Sequence, residues 1–399
     1  MRSSWRLPVA LVTAVVVAEA AVFLMRPRDR GPEPVPVEAR AYFSPAQIER
    51  AEDFRSGQRW IFLAQVAVEL GVLVLIVRRP PRRLTDLRRP VLAGAAVAAA
   101  ISVATGVAAL PLSAVARERA KDVGLVTQSW TGWLGDVAKS QAIGAGLAAV
   151  GGAVLIVVFQ RFGRRWWIPG AGLVVAFGVI TAYAGPVVLD PVFNKFKPLP
   201  QGELRSDVLR LAREAGVDVG QVYEMDASRR TTAANAYVSG LGRTKRVVLY
   251  DTLVDDFTPA ETRLVVAHEL GHVRHRDVPK GLLWIALVAP FGMWAAAVLV
   301  ERIGPRQLGP RAVPAVALSL ALVVPVLTTV SNQLSRDVER SADAFSLELT
   351  RDPRTFIAFH ERLADRNVSD PDPPALTRFL LGTHPTTLQR LGQAEAFAR

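Results

Sequence analysis

Apolar runs long enough to cross a bilayer recur seven times along this sequence, at about 7–25, 60–77, 91–112, 142–159, 167–189, 281–300 and 312–330. A helix needs about 20 such residues to span the hydrocarbon core. In hydrocarbon every backbone N–H and C=O must find its partner inside the protein, so runs of this kind commit the chain to membrane helices. Half of the 399 residues are hydrophobic and 21% are charged, in keeping with that reading. The formal net charge of +12 could suit nucleic acid. The arginines, however, crowd the ends of the apolar runs, where they meet lipid headgroups and set orientation. The expected partner is therefore the lipid bilayer, with no nucleic acid. The absence of cysteine excludes a disulfide scaffold, a thiolate metal site and a cysteine nucleophile, so any metal site must use His and carboxylates.

Several spans carry polar marks. The first contains Glu19 and follows Arg2 and Arg6, as a signal peptide might be built, but Arg26, Arg28 and Arg30 come next without a small-residue cleavage pattern. A retained anchor is expected. Gln65 and Glu69 share one face of the second span and Gln141 opens the fourth. These helices turn a polar side toward protein or an internal water-filled space, and simple interhelical hydrogen bonding is an equal reading. The segment 117–139 carries Trp130 and Trp133, which suit an interfacial helix.

Five segments are expected. Residues 1–58 hold the first span and an amphipathic lead-in, 59–189 spans two to five, 190–280 a polar domain, 281–330 spans six and seven, and 331–399 a helical C-terminal part. Within the polar domain, Leu204, Val208, Leu211 and Ala215 recur at helical spacing, with Gly216 placed to end the helix. Residues 235–239 and 245–250 flank a five-residue loop containing two glycines and read as a β-hairpin. Thr258-Pro259-Ala260-Glu261 is a capping box with Pro in the first helical position, so a helix should run from there through His272.

That helix carries His268-Glu269-Leu270-Gly271-His272, the HExxH pattern. Residues four apart share a helical face, so His268 and His272 can bind one Zn2+ while Glu269 reaches a water activated by it. A catalytic zinc needs a third protein ligand and one open position. Glu339 and Asp343, also four apart, follow the last span. Glu339 can be that ligand, with Asp343 accepting a hydrogen bond from a ligating His. The alternative is a solvated helix in which Arg336 and Arg340 are the partners. Two spans separate HExxH from Glu339, and an even number returns the chain to the same side, where the two halves can meet.

The match extends beyond these residues. The run Pro191-Val192-Phe193-Asn194-Lys195-Phe196-Lys197-Pro198-Leu199-Pro200, then Ser228-Arg229, Asn235-Ala236-Tyr237, the stretch from Lys245 to Leu253, Glu339 to Phe345, and His384-Pro385 with Arg390 follow in order. With these motifs the chain resembles the integral-membrane zinc metalloendopeptidases of the type I CAAX prenyl protease family, from about Tyr42 to the C-terminus. The resemblance implies an α-helical membrane protein of about seven transmembrane helices around a water-filled chamber, closed by a small α+β zinc-protease domain. It makes His268, His272 and Glu339 zinc ligands, Glu269 the general base, and Asp343 the group that holds a ligating His. Asn235, with Tyr237 on the same strand, would bind substrate backbone along an exposed edge. His384 and Arg390 would bind substrate and the developing oxyanion. His275 and His360 carry no role in this reading; His360 is expected on a helix surface.

The implied activity is hydrolysis of membrane-associated proteins or peptides by a multi-pass protein of the cell membrane with its zinc domain in the cytoplasm. The positive-inside rule fits less well, because that orientation puts the six arginines of 78–89 and the three of 161–165 outside, although residues 26–58 and 114–139 place a comparable basic load inside. Two other functions fit parts of the sequence: a membrane-protein quality-control protease of the HtpX type, and an inactive receptor or transporter on the same scaffold.

Overall fold

The computed structural model describes residues 5–240 and 245–399. Arg2 and most of the expected hairpin loop lie outside the described residues. The chain opens with α1 (Arg6–Met25) and α2 (Pro45–Arg78), followed by the one-turn α3 (Arg82–Thr85), then α4 (Pro90–Asp122), α5 (Trp130–Phe162) and α6 (Trp167–Val188). A short α7 (Asp190–Phe193) leads to β1 (Phe196–Pro198), α8 (Glu203–Glu214), β2 (Gln221–Met225), β3 (Ala236–Ser239), β4 (Arg246–Tyr250) and α9 (Asp251–Asp256). Next come α10 (Pro259–His275), α11 (Asp277–Ile303) and α12 (Val313–Thr350), and the chain closes with α13 (Pro353–Arg366), α14 (Ala375–Leu381) and α15 (Thr387–Ala398).

Among the described residues seven helices are long and apolar enough to cross a membrane. They are α1, α2, α4, α5, α6, α11 and α12. Their neighbours form a closed circuit, α2 to α4, α5, α6, α11, α12 and back to α2, while α1 lies against α11 and α12. Small residues allow the closest approaches. A methyl group on Gly152 of α5 would meet the Gly94 carbonyl oxygen of α4 at 2.3 Å, so these two backbones touch directly. Farther along, Gly106 makes room for the amide of Gln141. Gln65 Nε2 donates to Ser113 Oγ at 3.0 Å, so the polar face of α2 is used for an interhelical hydrogen bond there. Glu69, one turn on, is exposed.

The helices outrun their apolar stretches. Trp130 and Trp133 lie in the first turn of α5, where Arg117 of α4 reaches across and stacks on Trp130 at 4.3 Å. More consequentially, α12 continues unbroken from its span to Thr350, so Glu339 and Asp343 ride on the same rod that crosses the membrane.

The polar domain is a four-stranded sheet in the order β1-β2-β4-β3, with β2 and β4 parallel and the outer pairs antiparallel. The expected hairpin is β3 with β4, in the register Ala236 opposite Leu249. Beyond it the fold adds β1 and β2. The first is only three residues long and ends in Pro198, which an edge strand tolerates. Val222, Val247 and Leu249 face α8 and α10 in one core with Val208, Leu211, Leu264, Val266 and Leu270. Leu347 of α12 and Phe356 of α13 enter the same core. Gly216 takes a left-handed φ of 68° just past α8, as its position after that helix suggests.

Gly151 and Gly152 provide a test of the α4–α5 contact. A methyl group at Gly151 meets nothing within 4 Å. We expect Gly152→Ala to destabilise the protein by about 1–3 kcal/mol, as overpacking against a backbone does, and Gly151→Ala to leave it unchanged. Thermal melts of the two variants in detergent measure the difference.

Candidate metal centre and active site

The helix that carries the pattern starts where the capping box puts it. Glu261 N donates to Thr258 Oγ1 at 3.3 Å, and Thr258 N donates back to Glu261 Oε2 at 2.7 Å. It runs one turn beyond His272 and stops at Arg276, whose φ of 58° is left-handed. The chain then reverses directly into α11.

Five residues from three helices meet here. His268 and His272 point their Nε2 atoms at each other, 3.2 Å apart. Glu339 of α12 faces both, with its carboxylate oxygens 3.3 Å from His268 Nε2 and 3.6 Å from His272 Nε2. One donor atom from each of the three lies within 4.8 Å of the others. Each imidazole is held from behind by a carboxylate. His268 Nδ1 is 2.9 Å from Asp343 Oδ1, and His272 Nδ1 is 3.0 Å from Asp277 Oδ2. Once each ring is neutral, an Nδ1–H donated to its carboxylate leaves the Nε2 lone pairs turned toward Glu339, the orientation a metal requires. Two nitrogens and a carboxylate converging in this way fit a divalent cation with a position left open.

Gly271 lets the two helices come this close. A methyl group there would meet Phe345 Cδ1 at 3.2 Å and Ala342 Cα at 3.3 Å. Arg390 of α15 locks the acidic side: Nη2 donates to Glu339 Oε2 at 3.1 Å, and Nε is 3.3 Å from Asp343 Oδ2. His384 Nε2 lies 3.4 Å from the same Glu339 oxygen, with more than half of its side chain exposed. All of these groups except His272 and Asp277 line one cavity of about 650 Å³, together with Glu269 and Asn235. Burial pushes the Glu269 carboxyl up, although the two neighbouring imidazoles oppose this.

Asn235 sits at the open edge of the sheet, since β3 pairs only with β4. Its Oδ1 accepts from Ala236 N at 2.9 Å. Tyr237 goes elsewhere: its hydroxyl donates to Asp190 Oδ2 at 2.8 Å, at the foot of α6, and its side chain is not among those lining the cavity. His275 packs beside Ser341 Oγ, at 3.3 Å, and against the Phe345 ring, away from the metal ligands. The structure corrects one expectation outright. His360 is not on a helix surface but is 6% exposed and lines the cavity. Phe356, Phe359, His360 and Leu363 follow the i, i+3, i+4, i+7 pattern, so the helical stripe that buries it was present in the sequence. Asp277 was missed as well. Its only cue was an acid at the start of the next helix, five residues after His272.

Comparison with known proteins follows the same outline. The profile of peptidase family M48 matches residues 198–398, and that of the CAAX prenyl protease N-terminal region, described as five membrane helices, matches residues 30–195. The chain belongs to peptidase family M48. Among M48-like relatives, an uncharacterized metalloprotease of Bacillus subtilis, YhfN, is 28% identical over 89% of this chain and 87% of its own length. A probable CAAX prenyl protease 1 of Schizosaccharomyces pombe is 30% identical over 64% of this chain, and the match spans only 56% of that protein. The crystal structure of S. mikatae Ste24p shares the fold at a TM-score of 0.76, covering 98% of each chain at 19% identity. This M48 protein is thus a multi-pass membrane metalloprotease of the CAAX prenyl protease type.

Without metal, His268 holds a proton strongly. Burial works against the charged form, but Asp343 and Glu339 outweigh it and raise the imidazole to about 10. A cation must displace that proton. Below that value, then, metal uptake should release protons and affinity should climb as pH rises, by up to about tenfold per unit for each proton released. Titration of the stripped protein in buffers of different ionisation enthalpy counts the protons, and an uptake independent of pH would contradict this account.

Proposed function

We propose that this chain is a zinc endopeptidase of the cell membrane that hydrolyses membrane-associated proteins or peptides, with Glu269 as general base. The observation that carries the reading is the convergence of His268, His272 and Glu339 beside a cavity lined by His268, Glu339 and Glu269. A donor set of two imidazoles and one carboxylate suits zinc. When bound, zinc supplies Lewis-acid chemistry, easing deprotonation of water and drawing charge from the scissile carbonyl. Glu269, raised by burial, accepts the proton of the attacking water and passes it to the leaving nitrogen. His384, with its exposed ring beside Glu339, is placed to donate to the developing oxyanion. Arg390 has its guanidinium engaged by Glu339 and Asp343 and acts by positioning them. The free edge of β3, beginning at Asn235, takes the substrate as an added strand, with Tyr237 contributing backbone only.

Two substitutions separate the base from the ligand. Glu269→Gln should cut peptide hydrolysis by at least about 100-fold with zinc still bound, because it removes the proton acceptor and no ligand. Glu339→Ala should lose zinc together with activity. Hydrolysis rates and metal analysis of both variants decide the matter, and full zinc occupancy in Glu339→Ala would move the third ligand elsewhere.

The zinc domain is assigned to the cytoplasm. At the opposite ends of the helices, Arg311 pairs with Asp86 and Arg164 with Glu301. That far face carries the arginines of 78–89 and 161–165. Single cysteines at Ser206 and Gln307, both exposed, report the orientation in an otherwise thiol-free chain. In intact cells an impermeant thiol reagent should label the cysteine at 307 and spare the one at 206. The reverse pattern would put the zinc domain outside.

A further inference from the structure

His384, the side chain placed to donate to the oxyanion, follows closely on the end of α14. No residue of α14 is buried, and Leu376, Phe379, Leu380 and Leu381 are exposed, so apolar packing does little to fix this helix. Its last carbonyls are held instead, by side chains of α12. Arg336 Nη1 donates to the carbonyl oxygens of Gly382, at 2.6 Å, and Arg378, at 3.2 Å. Asn332 Nδ2 donates to that of Leu380 at 2.9 Å. The last turn of a helix leaves such oxygens in need of outside partners. Asn332 is buried, and Arg336 makes no ion pair among the described residues, so both donors are committed to this one task.

The two donors stand one turn apart on α12, and Glu339 is the next turn of the same helix. One rod therefore supplies the carboxylate and grips the chain just before His384. Just after it, Thr386 caps α15, its Oγ1 accepting from Gln389 N at 3.2 Å. Between these two points the imidazole comes to lie with Nε2 3.4 Å from Glu339 Oε2 and Nδ1 2.8 Å from Thr383 Oγ1. We propose that Arg336, assisted by Asn332, is a positioning residue for His384: by holding the end of α14 it sets where the imidazole meets the developing oxyanion. The proposal rests on the reading above in which His384 donates to that oxyanion. Arg336 itself touches neither Glu339 nor the cavity, so its influence on the reaction passes through the backbone of 378–382.

The test is a double-mutant cycle in the full-length, zinc-loaded protein in detergent, on a peptide that the unaltered protein cleaves. His384→Ala should lower kcat about 100-fold, as loss of an oxyanion donor does. Arg336→Ala should lower kcat about ten-fold, with KM and zinc content unchanged, because it displaces a donor without removing it. Introduced into His384→Ala, the same substitution should cost nothing more, since a residue that acts through another has no effect once that other is gone. A general structural loss would instead multiply with that of His384→Ala. Asn332→Ala, which frees the Leu380 carbonyl, should follow the same pattern more weakly, and it decides the matter if Arg336→Ala fails to fold. A normal kcat in Arg336→Ala, or losses that multiply, would overturn the proposal. If His384→Ala is as fast as the unaltered protein while Glu269→Gln is inactive, the role given to His384 fails and this proposal with it, leaving the hydrolytic reading in place.

Discussion

The contact between α10 and α12 at Gly271 is the constraint on which the site depends. The site is built from i, i+4 pairs on each helix, His268 with His272 and Glu339 with Asp343, which holds His268 from behind, so the two faces must approach to within the reach of an imidazole and a carboxylate. A methyl group on Gly271 would stand 3.3 Å from Cα of Ala342, so α12 would have to give way by a few tenths of an ångström. The glycine inside the HExxH pattern thus serves packing, as buried Leu270 beside it does, while the two histidines face the site. From this contact the rest follows. Because α12 is the seventh span and α10 turns straight into the sixth, fixing the two helices to each other also fixes the zinc domain to the membrane bundle.

Charge explains why the arrangement is stable only as a set. Glu339 and Asp343 are buried side by side on α12, and a buried carboxylate without compensation is strongly unfavourable. Arg390 answers both, and the proton on His268 answers them further when no metal is present. A divalent cation would take the place of that proton and leave Arg390 where it is. The N-terminal segment supports the same helix from outside: Arg26 and Arg30 pair with Asp337, and Arg340 with Glu33. Gln393 Nε2 donates to the backbone oxygens of Arg30 and Arg340, tying the strap, α12 and α15 together.

What could be read from the sequence divides along physical lines. The seven spans, the capping box at Thr258, the end of α8 at Gly216 and the β3–β4 hairpin are all local signals, set by periodicity and turn chemistry within a few residues. The strands β1 and β2 escaped because a three-residue strand has no periodicity to see and its partner is set by tertiary pairing. The stacking of Arg117 on Trp130 escaped for a similar reason, since only tertiary structure brings the two together. His360 is the instructive case. Its apolar neighbours were visible, but a histidine following an apolar stretch reads as surface until α13 is known to cover the metal cavity. Asp277 could be found only once the left-handed turn at Arg276 had folded the start of α11 back beneath His272.

The level of the site relative to the bilayer follows from the same continuous helix. Glu339 lies nine residues beyond Val330, where the last apolar run ends, which is about 14 Å along an α-helix. At that distance the carboxylates, imidazoles and Arg390 clear the hydrocarbon, where burying so many ionisable groups would be prohibitive, and hydrolysis has water to draw on. A rigid rod still ties them to the membrane. An independent soluble domain on a linker would sample many heights and angles, whereas α12 gives Glu339 a fixed height above the ring. If substrate adds to the open edge of β3 as proposed, a membrane-bound one would meet it at a set depth, and the depth of its scissile bond would matter alongside its sequence.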